Sequence, residues 1–194
     1  MAEFVPRQIL GKWRLGYALD LHTLSSTYIG DDEYGHAQFD AKRSAIGDLL
    51  YRLKYHGDQG VLDEIVNAAR RLVRDKGLTF DIIVPVPPST QRKIQPVMLI
   101  AEALGHALNK PVKNCVMHRR EASPLKNVRG YDERIQLLDG LHSVEADAVR
   151  DTRVLLFDDL YRSGATMNAL TQLIYDCGAK EVVVLAITRT RSNQ

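Results

Sequence analysis

The stretch "RVLLFDDLYRSGATMNAL", residues 153–170, decides the reading of this chain. Its first five residues are a short apolar run led by an arginine, and such a run predicts a buried strand. Its second half carries Leu170 and continues to Leu173, Ile174 and Cys177 on one stripe. That spacing predicts an amphipathic helix, with Gly178 as its stop. Between the two lie Asp158 and Asp159, then Tyr-Arg-Ser-Gly-Ala-Thr. A seam between strand and helix needs only a turn, whereas two adjacent carboxylates and a small hydroxyl-bearing loop point to a ligand.

The chemistry of that ligand follows from the residue types. The first N–H groups of a helix lack intrahelical partners, and the helix dipole adds partial positive charge there, so the loop favours an anion. Gly164 permits close backbone approach, Ser163 and Thr166 offer hydroxyl donors, and Arg162 adds charge. Carboxylates repel phosphate but accept hydrogen bonds well, so Asp158 and Asp159 suit a vicinal diol. A sugar diol on the acids and its phosphate on the loop describe a ribose 5-phosphate. The plainer alternative is a Ser163 helix cap beside two solvated acids.

Working outward, the same alternation recurs. Ile46, Leu49, Leu50 and Leu53 form one helical stripe, and Leu62, Ile65, Val66, Ala69, Leu72 and Val73 form a second, stopped by Gly77. "DIIVPVP" predicts a strand, and Pro96 opens a helix with Val97, Ile100, Ala101, Leu104 and Leu108 on one side. "PVKNCVM", residues 111–117, predicts the next strand and "EVVVLAI", residues 181–187, the last. Residues 119–140 read as a polar, basic stretch, within which "YDERIQLL" predicts a short helix. "WRLGYALD" predicts a strand over 13–20, "DDEYGH" a turn, and "TRTRSNQ" a polar tail. Apolar strands alternating with amphipathic helices predict an α/β fold, a doubly wound parallel sheet with helices on both faces. Ligands of such folds bind beyond the carboxyl ends of the strands.

Composition sets bounds. The 194 residues are 45% hydrophobic and 26% charged, which suits one domain with a real core. Net charge is +2, from 26 basic and 24 acidic residues, so bulk charge favours no nucleic-acid role. Cys115 and Cys177 form no CxxC pair, so neither a zinc ribbon nor a disulfide framework is expected, and a reduced cytoplasmic compartment fits. Histidines 22, 36, 56, 106, 118 and 142 are scattered and read as ordinary polar residues. No signal peptide and no membrane span is expected. Neither GxGxxG nor GxxxxGK[ST] occurs, which removes Rossmann and P-loop readings.

"VLLFDDLYRSGAT" resembles the phosphoribosyl diphosphate (PRPP) motif of type I phosphoribosyltransferases. "LLYRLKYHGD", "VPVPPSTQRKIQPVMLIAEAL" and "HRREASPL" with a later "DER" resemble segments of the ComF-like branch of that family, named for a DNA-uptake competence protein. The resemblance covers roughly residues 40–190. It implies that Asp158 and Asp159 are the catalytic pair, binding the ribose hydroxyls and holding Mg²⁺ through water, with neither a general base. It implies that Arg162, Ser163, Gly164, Ala165 and Thr166 bind the 5-phosphate. Pro88, Ser89, Thr90 and Arg92 would take the pyrophosphate, and Arg119, Arg120 and Lys126 would belong to a flexible loop over it. Residues 1–40 would form a hood, and residues 41–194 the phosphoribosyltransferase core.

The activity so implied is transfer of phosphoribosyl from PRPP to an unidentified, nitrogenous acceptor. Two alternatives stay open, a non-catalytic PRPP or nucleotide-binding module and a DNA-uptake accessory protein with a helicase-like partner. A homodimer is also left open. Departures from the family pattern are Arg162 where a small residue is usual, Tyr161 in place of an aliphatic, "RKIQP" for "RGFNQ", and the absence of a four-cysteine zinc module.

Overall fold

A computed structural model of the chain describes residues 2–88, 93–119 and 140–191. In chain order its elements begin with strands β1 (Arg7–Gln8), β2 (Leu15–Leu21), β3 (Thr23–Asp31) and β4 (Ala37–Arg43). Helices α1 (Ala45–Tyr51) and α2 (Leu62–Asp75) precede β5 (Ile82–Pro85) and α3 (Pro96–Leu108). Then follow β6 (Val116–His118), β7 (His142–Val144), α4 (Ala146–Val149), β8 (Arg153–Tyr161), α5 (Ala165–Asp176) and β9 (Glu181–Arg189).

Five strands make the central sheet in the order β1-β2-β9-β8-β5. All neighbours are parallel except β1, which pairs antiparallel at the edge. Strands buried on both faces are continuously apolar, and β8 and β9 show it in "VLLF" and "VVVLAI". Alternation sends Leu155, Phe157, Val183 and Leu185 to one side, against Ile46 and Leu50 of α1, Leu72 of α2 and Ile100 and Leu104 of α3. Val154, Leu156, Val182 and Val184 go to the other side, against Met167, Leu170 and Ile174 of α5. The expected doubly wound architecture is present, and the helical stripes read from the sequence supply its two cores.

The connections locate a switch point. From β5 the chain runs through α3 to an isolated parallel bridge between Val112 and Ile83, outward on one side. From β8 it runs through α5 to β9, outward on the other. Strand order therefore reverses between β5 and β8, and their carboxyl ends flank the crevice where such folds bind ligands.

Three expectations are corrected. The strand over 111–117 forms no ladder in the central sheet: after the Val112 bridge it breaks away, and β6 pairs antiparallel with β7 instead. Lys113 and Asn114 are exposed there, and so polar a segment cannot fill a strand covered on both faces. Residues 188–191 are no loose tail, because β9 runs to Arg189 and Thr188 is fully buried. The strand expected over 13–20 begins at Leu15, and the preceding Trp13 is a core residue whose Nε1 donates to the Ile9 carbonyl at 3.0 Å. The short helix expected in "YDERIQLL" lies outside the described residues.

The hairpin β3–β4 stands apart as a two-stranded ribbon, with its tip turn at Asp32 as the sequence predicts. Tyr28, Ile29, Tyr34 and Phe39 are exposed on it. Its end is tied to the sheet by Ser44, whose hydroxyl donates to the Leu21 carbonyl at 2.6 Å and accepts from the Gly47 N–H as the cap of α1. Gly47 must lack a side chain, since a Cβ there would collide with the His22 carbonyl oxygen.

Candidate functional site

The acids do not sit in a loop. β8 continues through them, with Asp158 opposite Ala186, Leu160 opposite Thr188 and Tyr161 opposite Arg189 on β9. The ladder persists because β9 is longer than its apolar run suggests and ends on Thr188 and Arg189. The Asp159 N–H donates to Asp158 Oδ1 at 2.7 Å, and the Thr188 hydroxyl donates to the Asp159 carbonyl at 3.3 Å. Both carboxylates are thus carried on sheet backbone at the carboxyl end of β8, beside the switch point.

A lysine from another element completes the pair. α1 runs into a π-helical turn, Arg52–His56, closed by Gly57 in the left-handed region at φ 67°. Such turns are uncommon and recur at functional sites. This one delivers Lys54, whose Nζ lies 2.9 Å from Asp159 Oδ1, with the two side chains 15% and 13% exposed. Withdrawal from water and the neighbouring Asp159 charge push the Asp158 pKa up, to about 7, against the opposing pull of the Asp159 N–H and Lys54. The unit therefore has one ion-paired carboxylate and one that exchanges its proton near neutral pH.

A histidine adjoins it through Thr188. His22, just past β2, shares a hydrogen bond with the Thr188 hydroxyl at 3.2 Å. Burial, then the positive charges of Lys54 and Arg43, lower its pKa, with Asp159 opposing and Arg162 adding a smaller push. The charges of Arg43, Lys54 and Arg162 thus all act on His22, and Lys54 pairs directly with Asp159.

Arg162, Ser163 and Gly164 alone separate β8 from α5. Gly164 sits at φ 79°, in the left-handed region, and caps α5 without a side-chain hydrogen bond. The Tyr161 hydroxyl packs directly under it, and the Tyr161 ring meets Trp13 edge-on at 6.3 Å. The backbone loop is thus floored by an aromatic pair. Arg162 and Ser163 are exposed, Gly164 and Ala165 buried, and Thr166 half-buried.

Asp158, Asp159 and residues 162–166 are brought together at the end of β8. Pro88 is half-buried in the chain leaving β5, on the other side of the crevice. Arg119 follows β6, is exposed, and donates its N–H to the Leu141 carbonyl at 2.8 Å. Ser89, Thr90, Arg92, Arg120 and Lys126 lie outside the described residues. Sequence reasoning missed Lys54, His22 and Thr188. Lys54 was visible in the quoted "LLYRLKYHGD" segment, but its partner is 105 residues away. The reading of all six histidines as ordinary polar residues fails for His22 and for His142, which is buried.

Among the described residues no group of three or more histidine, cysteine or acidic side chains could cage a metal. The two carboxylates are hard oxygen donors, and Lys54 engages one oxygen of Asp159. That donor set fits Mg²⁺, which binds through one or two carboxylates together with water and substrate oxygens.

No family model matches the chain, and no curated protein matches it. Solved structures match its fold. The adenine phosphoribosyl transferase from Trypanosoma brucei, in complex with AMP, pyrophosphate and ribose-5-phosphate, covers 95% of this chain and 74% of its own at 14% identity, with a TM-score of 0.53. The glutamine PRPP amidotransferase from B. subtilis, complexed with ADP and GMP, covers 80% of this chain at 16% identity, with a TM-score of 0.50, and the match spans 34% of the amidotransferase. The chain has the type I phosphoribosyltransferase fold.

Proposed function

We propose that the chain binds PRPP with Mg²⁺ and transfers its phosphoribosyl group to a nitrogenous acceptor, releasing pyrophosphate. The observation that carries this reading is the pair Asp158 and Asp159, held on a strand end at the switch point and followed by a three-residue loop into a helix N-terminus. In this reading the carboxylates accept hydrogen bonds from the ribose 2- and 3-hydroxyls, and Lys54, 2.9 Å from Asp159 Oδ1, holds that carboxylate in place. Residues 162–166 take the 5-phosphate. The chain leaving β5, with Pro88, Ser89, Thr90 and Arg92, takes the pyrophosphate, and Arg119, Arg120 and Lys126 neutralise it.

When bound, Mg²⁺ would offset pyrophosphate charge, with Asp158 and Asp159 holding it through water. The C1–O bond to pyrophosphate breaks as the acceptor nitrogen bonds C1, and pyrophosphate leaves with the electron pair. The protein's part is positioning and charge stabilisation. The hood role assigned to residues 1–40 narrows to the ribbon β3–β4, which stands off the sheet with Tyr28 and Phe39 exposed for an acceptor. The ComF-like branch rests on the resemblance of the "LLYRLKYHGD", "VPVPPSTQRKIQPVMLIAEAL" and "HRREASPL" segments.

The test is calorimetric titration of PRPP with Mg²⁺ into the chain and into the double variant Asp158→Asn/Asp159→Asn. Binding by the native chain that the double variant lacks supports the site. A folded native chain that binds no PRPP removes it, and pyrophosphate release in an acceptor screen separates a transferase from a binding module.

A further inference from the structure

β6 and β7 form a two-stranded stem with Val116 opposite Val144, Met117 opposite Ser143 and His118 opposite His142. The Arg119 N–H donates to the Leu141 carbonyl at 2.8 Å, and the Glu145 N–H to the Cys115 carbonyl at 2.9 Å. In an antiparallel ladder, hydrogen-bonded and non-hydrogen-bonded pairs alternate. Those two bonds make 119/141 and 115/145 hydrogen-bonded pairs, so 118/142 is a non-hydrogen-bonded pair. At such positions the Cα atoms are about 4.5 Å apart and side chains approach most closely.

The two imidazoles use that approach. Their ring centroids are 4.8 Å apart and tilted by 41°. His142 is 4% exposed, while His118 is exposed. Among the described residues, His142 Nδ1 is buried with no hydrogen-bond partner. A buried polar nitrogen left unpaired calls for a partner, and a bound ion is one. Burial, reinforced by His118, holds the His142 pKa down, to about 4, so its ring is neutral at physiological pH and keeps a lone pair for donation. Stacking of two rings would account for their proximity but not for the unpaired nitrogen.

We propose that His118 and His142 form a two-histidine clip for a divalent transition metal ion of the zinc, copper and nickel class, separate from the Asp158–Asp159 site. Imidazole nitrogen is a borderline donor that suits these ions and discriminates against Mg²⁺ and Ca²⁺. The exposed His118 provides the entry path, and the remaining coordination positions belong to water. Joining opposed residues, the ion would fasten β6 to β7 across the His118–His142 pair.

The experiment is calorimetric titration of Zn²⁺ into the full chain in phosphate-free buffer, with His118→Gln, His142→Gln and Asp158→Asn in parallel. The expected result is one equivalent bound by the native chain and by Asp158→Asn, with binding weakened at least tenfold in either histidine variant. His118→Gln keeps the test sound if His142→Gln fails to fold, because His118 is exposed. Electron paramagnetic resonance of the Cu²⁺ complex should show coupling to two imidazole nitrogens. No stoichiometric uptake by the native chain, or uptake undiminished in His118→Gln, would overturn the proposal.

Discussion

Asp158→Asn should make the ligand-free protein more stable, by an amount that grows as pH rises from about 4 to 7. Burial and the Asp159 charge raise the Asp158 pKa from 3.8 to about 7 in the folded state. Below pH 4 the carboxyl is protonated in folded and unfolded chains alike, and folding is not penalised. As pH rises toward 7 the unfolded chain releases this proton while the folded chain resists, so native stability falls; above 7 the loss is complete. A shift of that size corresponds to about 4 kcal/mol. Asp158 keeps some contact with solvent, which reduces the realised penalty to about 2 kcal/mol. Asparagine removes the ionisation and retains an oxygen for the Asp159 N–H, the 2.7 Å bond of the native chain. The assay is urea unfolding at pH 5 and pH 8 in chelator-treated buffer, followed by fluorescence of the single tryptophan, buried Trp13. The variant's midpoint should exceed the native one at pH 8, with the gap narrowing at pH 5. A variant less stable than native at pH 8, or a gap independent of pH, would refute the reasoning.

Lys54→Met should act in the opposite direction, because it leaves Asp159 without its ion-pair partner beside a second carboxylate. Removing one member of a mostly buried pair costs about 3–5 kcal/mol, read as a lower urea midpoint at pH 8 that recovers in Lys54→Met/Asp159→Asn. Gly164→Ala should cost about 1–3 kcal/mol and weaken PRPP binding, since its φ of 79° is strained for alanine and the new Cβ meets the Tyr161 hydroxyl. Tyr161→Phe in the same chain should return part of that loss in a double-mutant cycle, because the oxygen is the nearest obstruction.

Periodicity made the fold legible. The stripe of α2, the proline opening α3 and the apolar runs of β8 and β9 are local signals, and each element lies where its pattern predicts. Local signals failed where pairing decided the outcome. Asp158 and Asp159 lack strand character by composition, yet β9 holds this part of β8 in the ladder. Residues 142–144 carry a histidine and a serine between apolar neighbours, and they become β7 only because β6 leaves the central sheet to meet them. The acids and the glycine loop of the candidate site were readable from residue type and spacing. Lys54 and Thr188 were not, because the fold brings each to Asp159 from a distant element, Lys54 at its carboxylate and Thr188 at its carbonyl.

The continuation of the β8–β9 ladder past the acids has an entropic consequence. Residues 158–161 are already ordered by their register with β9 before a ligand arrives. Fixing a backbone residue costs about 1–2 kcal/mol at room temperature, so a site on a free loop of this length would subtract about 4–8 kcal/mol from its binding free energy. Here that cost is met during folding, and the ligand has only the residues at 162–164 and a few side chains to settle. On the proposed function, differences in affinity among variants of this site should therefore arise mainly in how the three-residue loop settles on the phosphate.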